Sequence, residues 1–218
     1  MLNKIGVFSL LFVSTASLAT SIDYRHDYLD SGKNNDSIKI SHSFPNGFGA
    51  STNVKWKSGE KAFSNLKTNG HEEAVFYNYK INEITSMQPE MAIDNKEQST
   101  SYNPSLSLTI KPESSLSLST KYEYRVDNTN KGKDKGHALE FSGSKKIDQI
   151  IYSLKYKHAL SENKIISNNS KHAHSFEGKV SYLLNKKTTT YMAIENVPGS
   201  KLTGERQSKF KVGIKYNF

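Results

Sequence analysis

Cysteine is absent from the 218 residues, which excludes a disulfide framework, a thiolate metal centre and a lipoprotein anchor. Long apolar runs are missing too. Beyond the first twenty residues no segment approaches the roughly 18 apolar residues that a membrane-spanning helix needs. Passage through a membrane would therefore have to be made by strands closed into a barrel. Apolar residues amount to 35% of the chain and the mean hydropathy is −0.65, little with which to fill a soluble core of this length. Acids are in the minority: 21 Asp and Glu against 30 Lys and Arg, a formal charge of +9. The basic residues are spread along the chain and not gathered in one patch, so no nucleic-acid partner is expected. Twelve tyrosines and ten phenylalanines are too many for a disordered chain.

What is present is alternation. From Ser208 to Phe218 the apolar residues Phe210, Val212, Ile214, Tyr216 and Phe218 fall on one face, and Lys209, Lys211, Gly213, Lys215 and Asn217 on the other. Period-2 patterning marks a strand with two unlike faces. An aliphatic and aromatic outside, a polar inside and a final Phe in register with the apolar face fit the closing strand of a bacterial outer-membrane barrel. The opening residues fit export: Lys4, an apolar run from Ile5 to Val13, and small residues at Ser17 and Ala19 read as a signal peptide over residues 1–19, cleaved after Ala19.

The same alternation recurs in order. Ile22, Tyr24 and Tyr28 oppose Asp23, Arg25 and Asp27; Ile38, Ile40 and Phe44 oppose Lys39, Ser41 and Ser43; Val54 and Trp56 oppose Lys55 and Lys57. Val75, Tyr77, Tyr79 and Ile81 share a face, as do Met87, Pro89, Met91 and Ile93, although a proline is out of place inside a sheet. Leu106, Leu108 and Ile110 stand against serines. Leu116, Leu118, Tyr122, Tyr124 and Val126 stand against Lys121, Glu123, Arg125 and Asp127. Four further strands place Lys155 and Lys157, then Glu177 and Lys179, opposite apolar neighbours. Residues 58–70, 94–99, 128–136, 161–170 and 198–205 read as loops. Lys131, Lys133 and Lys135 in the third of these are expected to be solvated surface charge. The prediction is an all-β chain: a single antiparallel transmembrane barrel of about 12 strands over residues 20–218, with short periplasmic turns and longer extracellular loops.

Two parts of the chain resemble a known family. SIDYRHDYLDSG followed by IKISHSFPNGFGAS, and at the other end IENVPGSK and ERQSKFKVGIKYNF, resemble the oligogalacturonate-specific porins, which include an N-acetylneuraminate (sialic acid) porin branch. The resemblance implies a monomeric twelve-stranded channel of the outer membrane, in contact with its lipid and lipopolysaccharide. It would pass small acidic oligosaccharides into the periplasm, without cofactor or metal. The family lines its pore with basic side chains, chiefly arginines. Here Arg25 and Arg125 fit that pattern, and the other candidates are lysines: Lys39, Lys55, Lys121, Lys155, Lys157, Lys179, Lys209, Lys211 and Lys215. A lysine presents a point charge where arginine presents a fork for a carboxylate.

Alignment of cations along a lumen concentrates anions there and biases conduction. The same face is expected to carry Asp23, Asp27, Glu123, Asp127, Glu140, Glu177 and Glu195, which would hold the lysines by pairing. Tyr24, Tyr77, Tyr122, Tyr152, Tyr156 and Tyr216 are expected in the lipid-interface girdle. A barrel enzyme is the competing class, but neither a His-x-Ser pair nor adjacent aspartates occur. His172 and His174 share a strand face, yet no third metal ligand lies nearby in sequence. A structural or adhesive barrel with a plugged lumen would share this composition, and conductance separates it from a porin.

Overall fold

The computed structural model describes residues 19–58, 64–130 and 132–218. The expected signal segment up to residue 18, and Lys131, lie outside these. The strands are β1 (Ala19–Leu29), β2 (Asn34–Ser43), β3 (Phe48–Ser58), β4 (Lys67–Tyr77), β5 (Tyr79–Lys80), β6 (Thr85–Lys96), β7 (Ser99–Glu113), β8 (Leu116–Thr129), β9 (Gly132–Ile147), β10 (Ile150–Ser161), β11 (His172–Leu183), β12 (Thr188–Pro198) and β13 (Arg206–Asn217). Each strand pairs antiparallel with the next, except that β4 and β5 both pair with β6. β1 pairs with β13, running from Ser21↔Asn217 to Leu29↔Lys209, and β4 pairs with β6, so the ring has no free edge.

β5 is a continuation of β4, and the two together make one of twelve barrel strands. Their interruption has a local cause. β4 pairs with β6 as far as Phe76↔Glu90, and pairing resumes in the same register at Tyr79↔Met87. The residue that would face Tyr77 is Pro89, which has no amide hydrogen to give to the ladder. On the other side the β3 ladder continues, the Asn78 amide donating to the Gly47 carbonyl at 2.8 Å. Pro89 itself stays on the outer face, opposite Leu106.

The packing is inside out relative to a soluble domain. Among the described residues the buried hydrophobic side chains are four alanines, Ala74, Ala92, Ala138 and Ala193. The registers put all four on the inner face. Large apolar residues such as Phe141, Leu154, Phe176, Met192, Ile194 and Phe210 are exposed on the outer face, the pattern expected of a barrel with an outward apolar band. This explains why so low an apolar content suffices: only alternate residues of each strand need be apolar.

Connections at the end of the barrel bearing Phe218 cover 44–47, 81–84, 114–115, 148–149 and 184–187. Those at the other end cover 30–33, 59–66, 97–98, 130–131, 162–171 and 199–205. The long ones therefore do lie at one end, but not every connection there is long. The polar stretches expected as loops at 94–99 and 128–136 are mostly strand: β6 runs to Lys96, β7 starts at Ser99, β8 runs to Thr129 and β9 starts at Gly132. Hydrophilicity misleads here because a barrel strand stays paired where it rises past the apolar band. Lys133 and Lys135 accordingly lie on β9, paired with Asn128 and Val126, and not in a loop. The expected loop at 58–70 is shorter too, since β4 starts at Lys67 and takes in Gly70, at φ +95°, beside a bulge between Val54 and Trp56.

Candidate functional site

Cross-strand register fixes which side chains share the inner face. From Asp23 the row passes through Lys39 and Asn53 to Glu72 and Asp94 in one direction, and through Lys215 and Thr189 in the other. Arg25, Lys39, Lys55, Lys121, Arg125, Lys155, Lys157, Lys179, Lys209, Lys211 and Lys215 all fall on that face. The expected carboxylates Asp23, Asp27, Glu123, Asp127, Glu140, Glu177 and Glu195 fall there as well. All six tyrosines assigned to the girdle point outward by the same registers. His172 and His174 share the outer face of β11, and no metal-competent cluster occurs among the described residues.

Ion pairs on the inner face join adjacent strands and, as a concave wall allows, also reach over an intervening one. Lys55 Nζ lies 3.1 Å from Glu72 and 3.0 Å from Asp94. Lys121 spans β7 to Glu90 at 2.9 Å, and Lys157 spans β9 to Glu123 at 3.5 Å. Across β13 to β10 a continuous chain runs Lys209–Glu195 (2.9 Å), Glu195–Lys211 (2.8 Å), Lys211–Glu177 and Glu177–Lys155 (3.5 Å). Sequence reasoning overlooked Glu72, Glu90 and Asp94 as partners. Asp94 falls in a polar stretch that reads as loop, and Glu72 precedes Val75, the first apolar residue of its strand's alternation.

The two arginines are distinctive. Each sits in a Tyr-Arg-X-Asp tetrapeptide, residues 24–27 and 124–127, four residues before the end of its strand. With β4 and β5 counted as one strand, the path from β1 through β2, β3, β4, β6 and β7 to β8 takes six steps of the twelve-strand ring. Arg25 and Arg125 are therefore on opposed strands across the lumen, both toward the end with the long loops. Each engages its own aspartate through Nε, at 2.9 Å for Asp27 and 2.6 Å for Asp127, and keeps its side chain 40% and 45% exposed. Ser101 braces the second site by donating to Asp127 at 2.5 Å. The aspartates orient the guanidinium forks without covering them.

The wall is also electrically two-sided. From β10 round to β3 it carries Lys155, Lys157, Lys179, Lys209, Lys211, Lys215, Arg25, Lys39, Lys55 and Lys57 against Glu177, Glu195, Asp23 and Asp27. From β4 to β9 the excess disappears: Glu72, Glu90, Asp94, Glu123, Asp127, Asp134 and Glu140 face Lys67, Lys80, Lys96, Lys111, Lys121, Arg125 and Lys146. Charge is thus sorted by sector as well as paired, which sets up a field across the lumen.

Residues 13–218 match the family model of the oligogalacturonate-specific porin protein (KdgM). The chain belongs to that family. A curated member of the porin family, the oligogalacturonate-specific porin KdgM of Dickeya dadantii (strain 3937), is 33% identical over 223 residues, which cover 94% of each chain. A solved KdgM porin superposes with a TM-score of 0.68 at 26% identity, covering 91% of this chain and 99% of that one. The same porin in complex with disordered oligogalacturonate gives 0.68 at 25% identity with the same coverage. A NanC porin structure aligns with a TM-score of 0.80 at 16% identity over 90% of this chain and all of that one, a likeness of fold. Membership places the barrel in the bacterial outer membrane as a channel.

Proposed function

We propose that this porin passes small anionic oligosaccharides, oligogalacturonates foremost, into the periplasm. The observation that carries the reading is the opposed pair Arg25 and Arg125, two exposed guanidiniums held across the lumen by aspartates of their own strands. A guanidinium fork matches a carboxylate in two points, and an oligouronate presents one carboxylate per sugar. Its relative's complex with oligogalacturonate supports the same class of permeant. The eleven basic residues named above supply the anion preference, though most are shared with carboxylates. The barrel makes and breaks no covalent bond, needs no cofactor, and works as a monomer, its ring closed within one chain. Its outer face meets membrane lipid and lipopolysaccharide. Residues 1–19 serve as the export signal, which N-terminal sequencing of protein from outer membranes would check.

The reversal potential in a planar bilayer under a KCl gradient, followed by addition of trigalacturonate, tests this reading. Anion selectivity with sugar-dependent blockade is the expected outcome; cation selectivity, or no blockade, overturns it. Replacing both arginines by Gln should shorten the blockade about tenfold, equivalent to about 1.4 kcal/mol. Replacing both by Lys should leave the reversal potential in place and still weaken blockade, since charge remains while the fork is lost.

A further inference from the structure

Eleven of the twelve tyrosines point outward by register, and Tyr191 is the one on the inner face. It crosses β13 to reach β1: its hydroxyl donates to Asp23 Oδ1 at 2.8 Å. The crossing is possible because residue 213 is glycine, where a Cβ would collide with Tyr191 Cζ and Oη. Lys179 Nζ stands 5.7 Å from the ring centroid, within cation–π range. Lys179 has no ion pair among the described residues, and neither do Lys39 and Lys215, the two cross-strand neighbours of Asp23. Each of the other eight basic residues named for the pore has a carboxylate within 3.5 Å.

Building on the proposed permeant, we propose that Tyr191 organises a second carboxylate-binding station, on Lys179, Lys215 and Lys39, deeper in the lumen than the arginine pair. Tyr191 occupies the Asp23 oxygen that would otherwise be open to Lys39 or Lys215, and its ring holds Lys179 without a counter-charge. The lysines thereby keep full charge for an arriving anion. Lys39 and Lys215 flank β1, two strand spacings or about 10 Å apart. Beside Lys179 the wall forms a depression of about 270 Å³ lined by Ser142, Ser144 and Ser153, hydroxyls suited to those of a sugar, and also by Lys155, Glu140 and Glu177, the last held by Lys155 and Lys211. The class of ligand is a uronic acid residue: its carboxylate on Lys179, its hydroxyls toward the serines.

The bland alternative is that Tyr191 merely covers a glycine, as aromatic side chains do in barrels. The protein contains its own control for that. Phe76 covers Gly49 on the inner face in the same way, with no hydroxyl and, among the described residues, no cation over its ring. Covering alone needs neither the Asp23 bond nor Lys179.

The test compares trigalacturonate blockade in refolded wild type, Tyr191→Phe, Lys179→Gln and Phe76→Leu, each checked for the heat-modifiable mobility of a folded barrel. Tyr191→Phe keeps the cover and loses the anchor. The station predicts residence times about threefold shorter for Tyr191→Phe and tenfold shorter for Lys179→Gln, with Phe76→Leu unchanged. Wild-type residence in both of the first two overturns it. A second readout does not depend on the oligosaccharide: the permeability of acetate relative to chloride should fall in Lys179→Gln, and an unchanged ratio also overturns the station. Absence of blockade in wild type would sink the proposed permeant instead, leaving the acetate measurement to decide the station.

Discussion

Lys211 is the most enclosed of the inner-face cations, 7% exposed, and sits between Glu177 and Glu195. Removing a cation from between two carboxylates leaves two like charges facing each other with their hydration impaired. Lys211→Met should therefore destabilise the barrel by on the order of 3 kcal/mol, read as a lowered urea midpoint in detergent. The triple variant that adds Glu177→Gln and Glu195→Gln should recover most of it. Equal stability of Lys211→Met and wild type would mean that lumen water screens the pair. The contrast with Arg25 and Arg125 is instructive: those side chains give one nitrogen to an aspartate and remain exposed. The same charge thus serves as a brace at one position and as a binding group at another, and its surroundings decide which.

At the scale of the strand, the extension of β8 and β9 over 128–136 has a simple signature. In the folded barrel, trypsin should cut at Lys164 and Lys201, in the connections 162–171 and 199–205, and spare Lys133 and Lys135, which are paired along β9. Early cleavage after Lys133 would contradict the register. Alternation made nearly every strand legible in the sequence, because one face must satisfy lipid and the other water, and a slip by one residue would exchange them. It made the face of every basic residue assigned to the pore legible too, and even Pro89 kept its side. Strand ends were less legible, since beyond the lipid band both faces are wet and the pattern that announces a strand disappears. Pairing was not legible at all: that Lys55 reaches Asp94 over β4, or that Arg25 lies opposite Arg125, depends on how the ring closes. Tyr191 was readable as inward from Met192 and Ile194 beside it, but a tyrosine in a barrel strand is ordinarily girdle.

For the molecule as a whole, the join between first and last strands is an ordinary antiparallel pair, and the Phe218 amide donates to the Thr20 carbonyl at 3.0 Å. Nothing about this seam distinguishes it from the other pairs in the ring. A circular permutant with residues 20 and 218 joined by a short linker and new ends opened between 114 and 115 should refold to the same heat-modifiable band with wild-type conductance. A permutant that stays unfolded would mean that β1 or β13 has to be free for closure. The charge-sorted wall has a consequence of a different kind. A polyanion brings counterions with it, and a uniformly cationic tube would strip them at the entrance. For the permeant proposed above, the carboxylates of the charge-balanced sector from β4 to β9 would offer those cations a path of their own, so that sugar and counterion would travel in separate lanes and the current carried per molecule would be less than the charge on the sugar.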